Sequence, residues 1–459
     1  MDEVEANSKK YEEISRKYNP NYQKILKSIP IIKQFIIDHN LIVYGGTAID
    51  YALRLKGDFI YPDESLAIPD LDFYSYDNVK HSYDLADKLY YLGYKEVRVA
   101  RAIYVNTMRV DLMDNTFIAD FTYVPKNIFD TLPTLEYEEL KIIHPNFQKI
   151  DLHRSLSFPY EYAPNEAIFA RWKKDIARYN KLADKYPIKI KNKVSPKIKY
   201  ITLPIKYINN IFAGLSAYAI IFRALKDLES AMTLKYGKIL LDYSDIIPVD
   251  IKIENENIHL PIMEGSSRDF IEIIKVVESG KKVHPYMSIL PKYYLYSEDN
   301  FNFKAYNTKD KLISINKSLI NGVTFQHINV QSLLFMFLAN AHIFPELESD
   351  FYSYYNSLLK MINNAELLFL ELKKHTNDFE KLALYCPLFP SVETYGETNF
   401  SESNEILRRN IEVDQNKKEP YYLPVNYYPS RRVENGIPRP PPFVYKNSPF
   451  FLKDGLDSI

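Results

Sequence analysis

An adjacent glycine pair, Gly45-Gly46, separates the apolar run Leu41-Ile42-Val43-Tyr44 from a segment in which Ala48, Ile49, Ala52 and Leu53 recur at helical spacing. A strand entering a helix through two glycines is a narrow structural commitment. Glycine lets the backbone approach a neighbouring group closely, and the helix N-terminus offers free N–H groups there. The chain holds only 12 glycines, so composition does not account for the pair. Thr47 is expected to cap the helix and to add a hydroxyl at the same place. Roughly 25 residues later, Asp70-Leu71-Asp72-Phe73-Tyr74 reads as a second strand, in which residues two apart share a face. Asp70 and Asp72 then point together, while Leu71 points into the core.

Paired carboxylates beside a glycine loop point to metal-assisted transfer at a phosphorus atom. Two divalent ions about 3.5–4 Å apart can activate the attacking hydroxyl and bind a triphosphate, and hard cations of this kind require oxygen ligands. A third carboxylate must come from a neighbouring strand. Asp120, within Ile118-Ala119-Asp120-Phe121-Thr122, sits among apolar residues where a bare carboxylate is otherwise costly. Asp111, within Arg109-Val110-Asp111-Leu112-Met113, competes for the position; the more apolar setting favours Asp120. Taken singly, Asp-x-Asp is usually a solvated turn and Gly-Gly usually a tight bend. Their order gives them weight, because a turn at Asp70 and a surface strand at Asp72 leave Asp120 unexplained.

The surrounding pattern is α/β. Residues 1–40 read as helical, broken by Pro20 and Pro30; an amphipathic helix carries Leu85, Leu89 and Leu92 and stops at Gly93. Residues 95–113 and 116–124 read as strands, the latter pair turning at Asp114-Asn115, and 125–185 as mainly helical. A basic, proline-interrupted stretch at 186–200 marks a boundary. Beyond it, helices are expected at 214–236 and 350–374, with strands near 248–262 and 311–317 and no second Gly-Gly followed by Asp-x-Asp. The expected division is N-terminal helices 1–40, a catalytic domain 41–190, a second domain 200–386, and a Pro/Tyr-rich extension 387–459 that wraps over the surface or is partly disordered.

A single cysteine, Cys386, excludes an intramolecular disulfide and argues against a cysteine-based zinc site. The apolar runs Leu215–Leu225 and Leu333–Ala341 are shorter than the roughly 20 residues of a bilayer span and read as buried helices, so no membrane association is expected. The nine histidines show neither HxxxH nor HExxH spacing. From Arg171 to Lys199, eleven basic residues face only Asp175 and Asp184, with Tyr179, Tyr186 and Tyr200 between them. Such a track suits single-stranded RNA, and a lysine-rich solvated face accounts for the same residues equally well. Arg171 and Lys174 are the best triphosphate candidates, being nearest the carboxylates in sequence. Trp172 is left open between base stacking and packing, and His153 and Arg154 between nucleotide contact and capping a helix.

The spacing from Gly45-Gly46-Thr47 to Asp70-Leu71-Asp72 resembles the polymerase-beta-like nucleotidyltransferase superfamily. A closer resemblance is to the catalytic poly(A) polymerases of large DNA viruses, the poxvirus, asfarvirus and mimivirus-like group. It is carried by Tyr44–Asp50, Pro69–Ser75, Ala119–Pro125, Asp151–Ser157 and Arg171–Asp175. The resemblance implies adenylate addition from ATP to an RNA 3′ end with Mg²⁺ or Mn²⁺, and a second nucleotidyltransferase-like domain without catalytic carboxylates. Residence in the host cytoplasm (the viral factory) or the virion is implied too, with a homodimer and a separate processivity subunit as alternative assemblies. Two rivals stand beside this reading: a nucleotidyltransferase acting on a protein or small molecule, and an RNA-binding viral protein that has lost catalysis.

Overall fold

The computed structural model describes residues 20–62, 71–102, 107–112, 116–158, 168–190, 198–237, 241–264, 269–276, 293–308, 312–375, 393–396 and 427–439, with four single positions before residue 20. The chain divides into two compact units, one holding the described residues up to 148 and 427–439, the other those from 149 to 396. Most of residues 1–19, Asp70, the Asp114-Asn115 turn and most of the C-terminal extension lie outside the described residues.

In the first unit, α1 (Pro20–Asp38) leads to β1 (Ile42–Tyr44), α2 (Gly45–Arg54), β2 (Leu71–Ser75) and α3 (Asn78–Tyr91). There follow β3 (Arg98–Arg101), β4 (Thr107–Leu112), β5 (Thr116–Tyr123), α4 (Lys126–Phe129), β6 (Thr134–Tyr137), β7 (Leu140–Ile143) and the start of α5 (Pro145–Ser157). The strands form one sheet, ordered β3-β4-β5-β2-β1-β7-β6. Alternation divides its faces. Leu71, Phe73, Met108, Val110, Ala119 and Phe121 are all buried to within 1%. Phe35 of α1 packs edge-on against Phe121, and α3 lies against β4 and β5.

One expectation is overturned here. Pro30 does not break the N-terminal helix, for α1 runs through it. Tyr22, Ile25, Ile32, Phe35 and Ile36 bury one continuous stripe, while Pro30 is exposed. Burying five large side chains at about 1.5–3 kcal/mol each outweighs the roughly 3 kcal/mol of an internal proline. Residues 125–185 are mainly helical, as expected, but β6 and β7 interrupt the helices with a hairpin, and β7 joins β1 in parallel. Its turn is made by Glu138 and Glu139, both at positive φ (48° and 68°), with no glycine or asparagine to announce it.

The second unit begins with the rest of α5, then α6 (Ile168–Lys185), β8 (Ile198–Pro204), β9 (Ile211–Phe212), α7 (Gly214–Tyr236), β10 (Lys252–Glu254) and β11 (Asn257–Met263). It continues with β12 (Ile271–Lys275), β13 (Tyr293–Glu298), β14 (Phe301–Asn307), β15 (Ile313–Ile320), β16 (Val323–Ile328), α8 (Val330–Ile343), α9 (Glu348–Lys373) and β17 (Thr394–Tyr395). A three-stranded sheet pairs β10, β11 and β8; a larger one is ordered β13-β14-β12-β9-β16-β15-β17. The sequence pattern marked α7, α9, β10–β11 and β15 but not β12, β14 or β16; in β14 four consecutive residues, Phe303–Tyr306, are buried, so that strand does not alternate. Among the described residues no single helix is long and apolar enough to cross a bilayer.

The described part of the C-terminal extension returns to the first unit. Tyr427 exchanges two backbone hydrogen bonds of 2.8 Å with Val99, covering the edge strand β3. Behind it, Arg432 and Arg439 pair with the buried Asp87, and Arg439 also reaches Asp84 at 2.8 Å.

Candidate active site

The face of the first sheet opposite the core carries its polar side chains. Asp72 of β2 stands opposite Tyr44 of β1 in the antiparallel pair and beside Asp120 of β5 in the parallel pair. Register partners project to the same side of a sheet, and neighbouring strands lie about 4.8 Å apart. The two carboxylates are therefore adjacent, Asp72 half-buried and Asp120 buried. Because the odd positions of both strands are core residues, the even positions have only this face to occupy.

Gly45 follows directly from that arrangement. It has φ +73°, and a Cβ built on it would lie 2.6 Å from Asp72 Oδ2. Position 45 thus has two reasons to lack a side chain: the left-handed backbone and the carboxylate beside it. Helix α2 starts at Gly45 itself, with Tyr44 in the capping position and no side-chain cap. The expected cap by Thr47 is corrected: Thr47 lies within the first turn and is buried. Five residues on from Gly45, Asp50 fixes the following loop. Its carboxylate accepts hydrogen bonds from Arg54 Nε (2.6 Å) and from the backbone N–H groups of Ile60 (2.8 Å) and Tyr61 (2.9 Å).

Other groups complete the face. Arg109 of β4, the register partner of Asp120, holds that carboxylate with two hydrogen bonds, Nε to Oδ1 at 2.7 Å and Nη2 to Oδ2 at 2.5 Å. The hydroxyls of Tyr44, Thr122 and Thr107 form a chain with steps of 2.8 and 2.9 Å. The Tyr44 ring stacks on Tyr74 with centroids 4.2 Å apart. Burial, reinforced by the charge of Asp72, pushes the Tyr44 phenol well above its ordinary pKa, so it stays protonated. Sequence reasoning missed Arg109 and this hydroxyl row. Both were available from strand alternation, once the register of the β4–β5 pair was known.

The remaining candidates separate. Asp111 lies one strand beyond Asp120 and pairs with Arg98 of β3 at 2.9 Å. A register shift between Val110 and Asp111 removes it from the regular alternation. Burial raises its pKa despite Arg98, and its Oδ1 has no hydrogen-bond partner among the described residues. Asp70 is outside the described residues, and Gly46 follows Gly45 in α2. Arg171 and Lys174 lie on α6, in the second compact unit, with Lys174 exposed. His153 is a core residue of that unit: Nδ1 meets Gln331 at 2.9 Å and Nε2 meets the Tyr355 hydroxyl at 3.1 Å.

Among the described residues no group of three or more His, Cys, Asp or Glu is placed to hold a metal ion. The pair Asp72–Asp120 nevertheless fits a hard divalent cation. It offers anionic oxygens from two rigid strands, beside a glycine whose missing Cβ leaves Asp72 Oδ2 accessible.

Comparison with known proteins bears on this geometry. Residues 30–162 match the family model described as poly(A) polymerase catalytic subunit, a span that contains Gly45, Asp72, Arg109 and Asp120. An African swine fever virus protein assigned as a poly(A) polymerase catalytic subunit is 32% identical over 98% of this chain and 97% of its own length. A protein of Acanthamoeba polyphaga mimivirus with the same assignment is 34% identical over 34% of this chain and 26% of its own length. In fold, the Megavirus polyadenylate synthase superimposes with a TM-score of 0.62 at 19% identity, covering 94% of this chain and 84% of that one.

Proposed function

The chain belongs to the poly(A) polymerase catalytic subunit family, and from that premise we propose that it adds adenylates from ATP to the 3′ end of RNA without a template. The observation that carries this reading is the side-by-side register of Asp72 and Asp120 next to the Gly45 junction. Asp72 and Asp120, with Asp70, would hold Mg²⁺ or Mn²⁺, which supplies activation of the RNA 3′-hydroxyl and neutralisation of the triphosphate. The chain's own contribution is placement. Gly45 and Gly46 admit the phosphates against the start of α2, whose N-terminal N–H groups and dipole favour anions. Both carboxylates are fixed by a sheet rather than by loops, so little reorganisation accompanies the reaction. Arg171, Lys174 and the basic face of α6 are proposed to bind RNA or triphosphate. The work takes place in the host cytoplasm or the virion, alone as a homodimer or with a processivity subunit.

Primer extension tests the reading: a labelled oligo(A) RNA, each of the four NTPs separately, and Mg²⁺ or Mn²⁺. The expected result is a ladder with ATP, absent in Asp72→Asn. Extension by no NTP under either metal, with the protein folded, would remove the proposed activity of the isolated chain. Labelling of a protein in place of RNA would move the site to another substrate.

A further inference from the structure

We infer that Arg109 is the resting counterion of the carboxylate pair, and that a divalent ion reaching Asp120 displaces its guanidinium. This rests on the proposed function, since it takes Asp72 and Asp120 as metal ligands. Two carboxylates in register on adjacent strands repel one another, and like charges placed directly opposite destabilise a sheet. A cation hydrogen-bonded to Asp120 comes from the next strand in the same register row: Arg109 takes both oxygens of that carboxylate. A bidentate guanidinium occupies the positions from which a carboxylate would otherwise bind a metal, so the two compete for one acceptor.

The second unit provides an internal comparison. There Glu272 on β12 has Lys304 as its register partner on the parallel strand β14, just as Asp72 has Asp120. The Lys304 ammonium lies 3.2 Å from Glu272 and is enclosed by the rings of Tyr293, Tyr306 and Phe344. A side-chain cation thus meets a carboxylate at this row in both units. In the second unit that cation replaces the carboxylate and its side chain is 9% exposed; in the first it flanks the carboxylate and is 20% exposed. Arg109 keeps a route to water, so it can leave Asp120 without being stranded.

The test uses the full chain with Mn²⁺ as the probe, following free Mn²⁺ by electron paramagnetic resonance and unfolding by thermal melting. Arg109→Gln is expected to melt lower than wild type without metal. It is also expected to gain more stability on Mn²⁺ addition and to bind Mn²⁺ on the order of tenfold more tightly, the scale of a charged hydrogen bond. Arg109→Lys, which keeps the charge but not the fork, is expected between the two, and replaces Arg109→Gln if that variant does not fold. Unchanged or weaker Mn²⁺ binding in both variants would overturn the inference, leaving Arg109 as a support that orients Asp120. Asp120→Asn separates the two readings. If it binds Mn²⁺ as wild type does, or if wild type binds none, the metal-site reading has failed and the inference goes with it.

Discussion

The two large sheets share six strands in the same order and sense. From β4 to β6 the first sheet runs β4-β5-β2-β1-β7-β6; the second runs β13-β14-β12-β9-β16-β15. Parallel pairs fall at the same places, β5 with β2 and β14 with β12, then β1 with β7 and β9 with β16. Both have a strand that enters a helix through a glycine at positive φ, Gly45 in one and Gly214 in the other. At each, an added Cβ would strike the carboxylate of the neighbouring antiparallel strand, Asp72 at 2.6 Å and Glu272 at 1.5 Å. The difference lies in the next strand over: Asp120 in the first sheet, Lys304 in the second. One residue type at one register position separates a face that needs an added cation from a face that contains its own. The second unit carries the architecture of the site and has satisfied it internally, with Tyr306 donating to Glu272 at 2.7 Å and Asn340 donating to Tyr306 at 3.0 Å.

The comparison breaks most sharply at the carboxylates. Asp72→Asn is expected to lower RNA extension by at least about 10³-fold, in keeping with the several kcal/mol that metal-assisted charge stabilisation supplies. Glu272→Gln should leave the rate within a few-fold of wild type. Equal losses in the two variants, with both folded, would mean that the second unit takes part in chemistry.

Stability should respond in the opposite sense. Lys304→Met leaves the half-buried Glu272 without its cation and is expected to cost about 3 kcal/mol in denaturant unfolding. The double variant Lys304→Met/Glu272→Leu should recover part of that loss, since it removes the stranded charge with its partner. No recovery would show that packing around Lys304, rather than charge balance, carries its effect.

The glycines sharpen the same contrast on a smaller scale. Gly214→Ala forces a left-handed backbone and a contact with Glu272, and should lose about 1–3 kcal/mol of stability with little change in extension per folded molecule. Gly45→Ala meets the same strain but displaces Asp72, so it should lower extension beyond what its stability loss explains. Extension kinetics measured on the folded fraction of each variant separate the two outcomes.

The smallest effect concerns acid. Burial lowers the His153 pKa to about 3, so between 6.5 and 3 the unfolded chain takes up a proton that the folded one refuses. Stability is therefore full above pH 6.5 and falls as the pH drops towards 3. His153→Gln should flatten that fall in pH-dependent melting. It should not abolish it, because His81, His327 and His342 are also buried, each with its pKa lowered to about 4. An unchanged slope would show that His153 makes no difference to acid sensitivity.

Local physics made much of the first unit legible in the chain. Alternation around Leu71, Phe73, Ala119 and Phe121 assigned the strands and their inward faces, and Gly45-Gly46 with helical spacing after it assigned the junction. The period-two rule also set Asp72 apart from its neighbours as a residue of the polar face. What the chain did not disclose were relations between strands. The β6–β7 turn uses two glutamates at positive φ, and β14 buries four consecutive residues, so neither carries a periodic signal. Register decided the rest: that Asp72 stands beside Asp120, that Arg109 rather than solvent meets Asp120, and that Glu272 and Lys304 repeat the geometry without the second carboxylate. Side-chain direction along one strand follows from backbone geometry, which each residue carries with it. Which residues face each other across strands depends on pairing between segments far apart in sequence, and only the folded sheet fixes that.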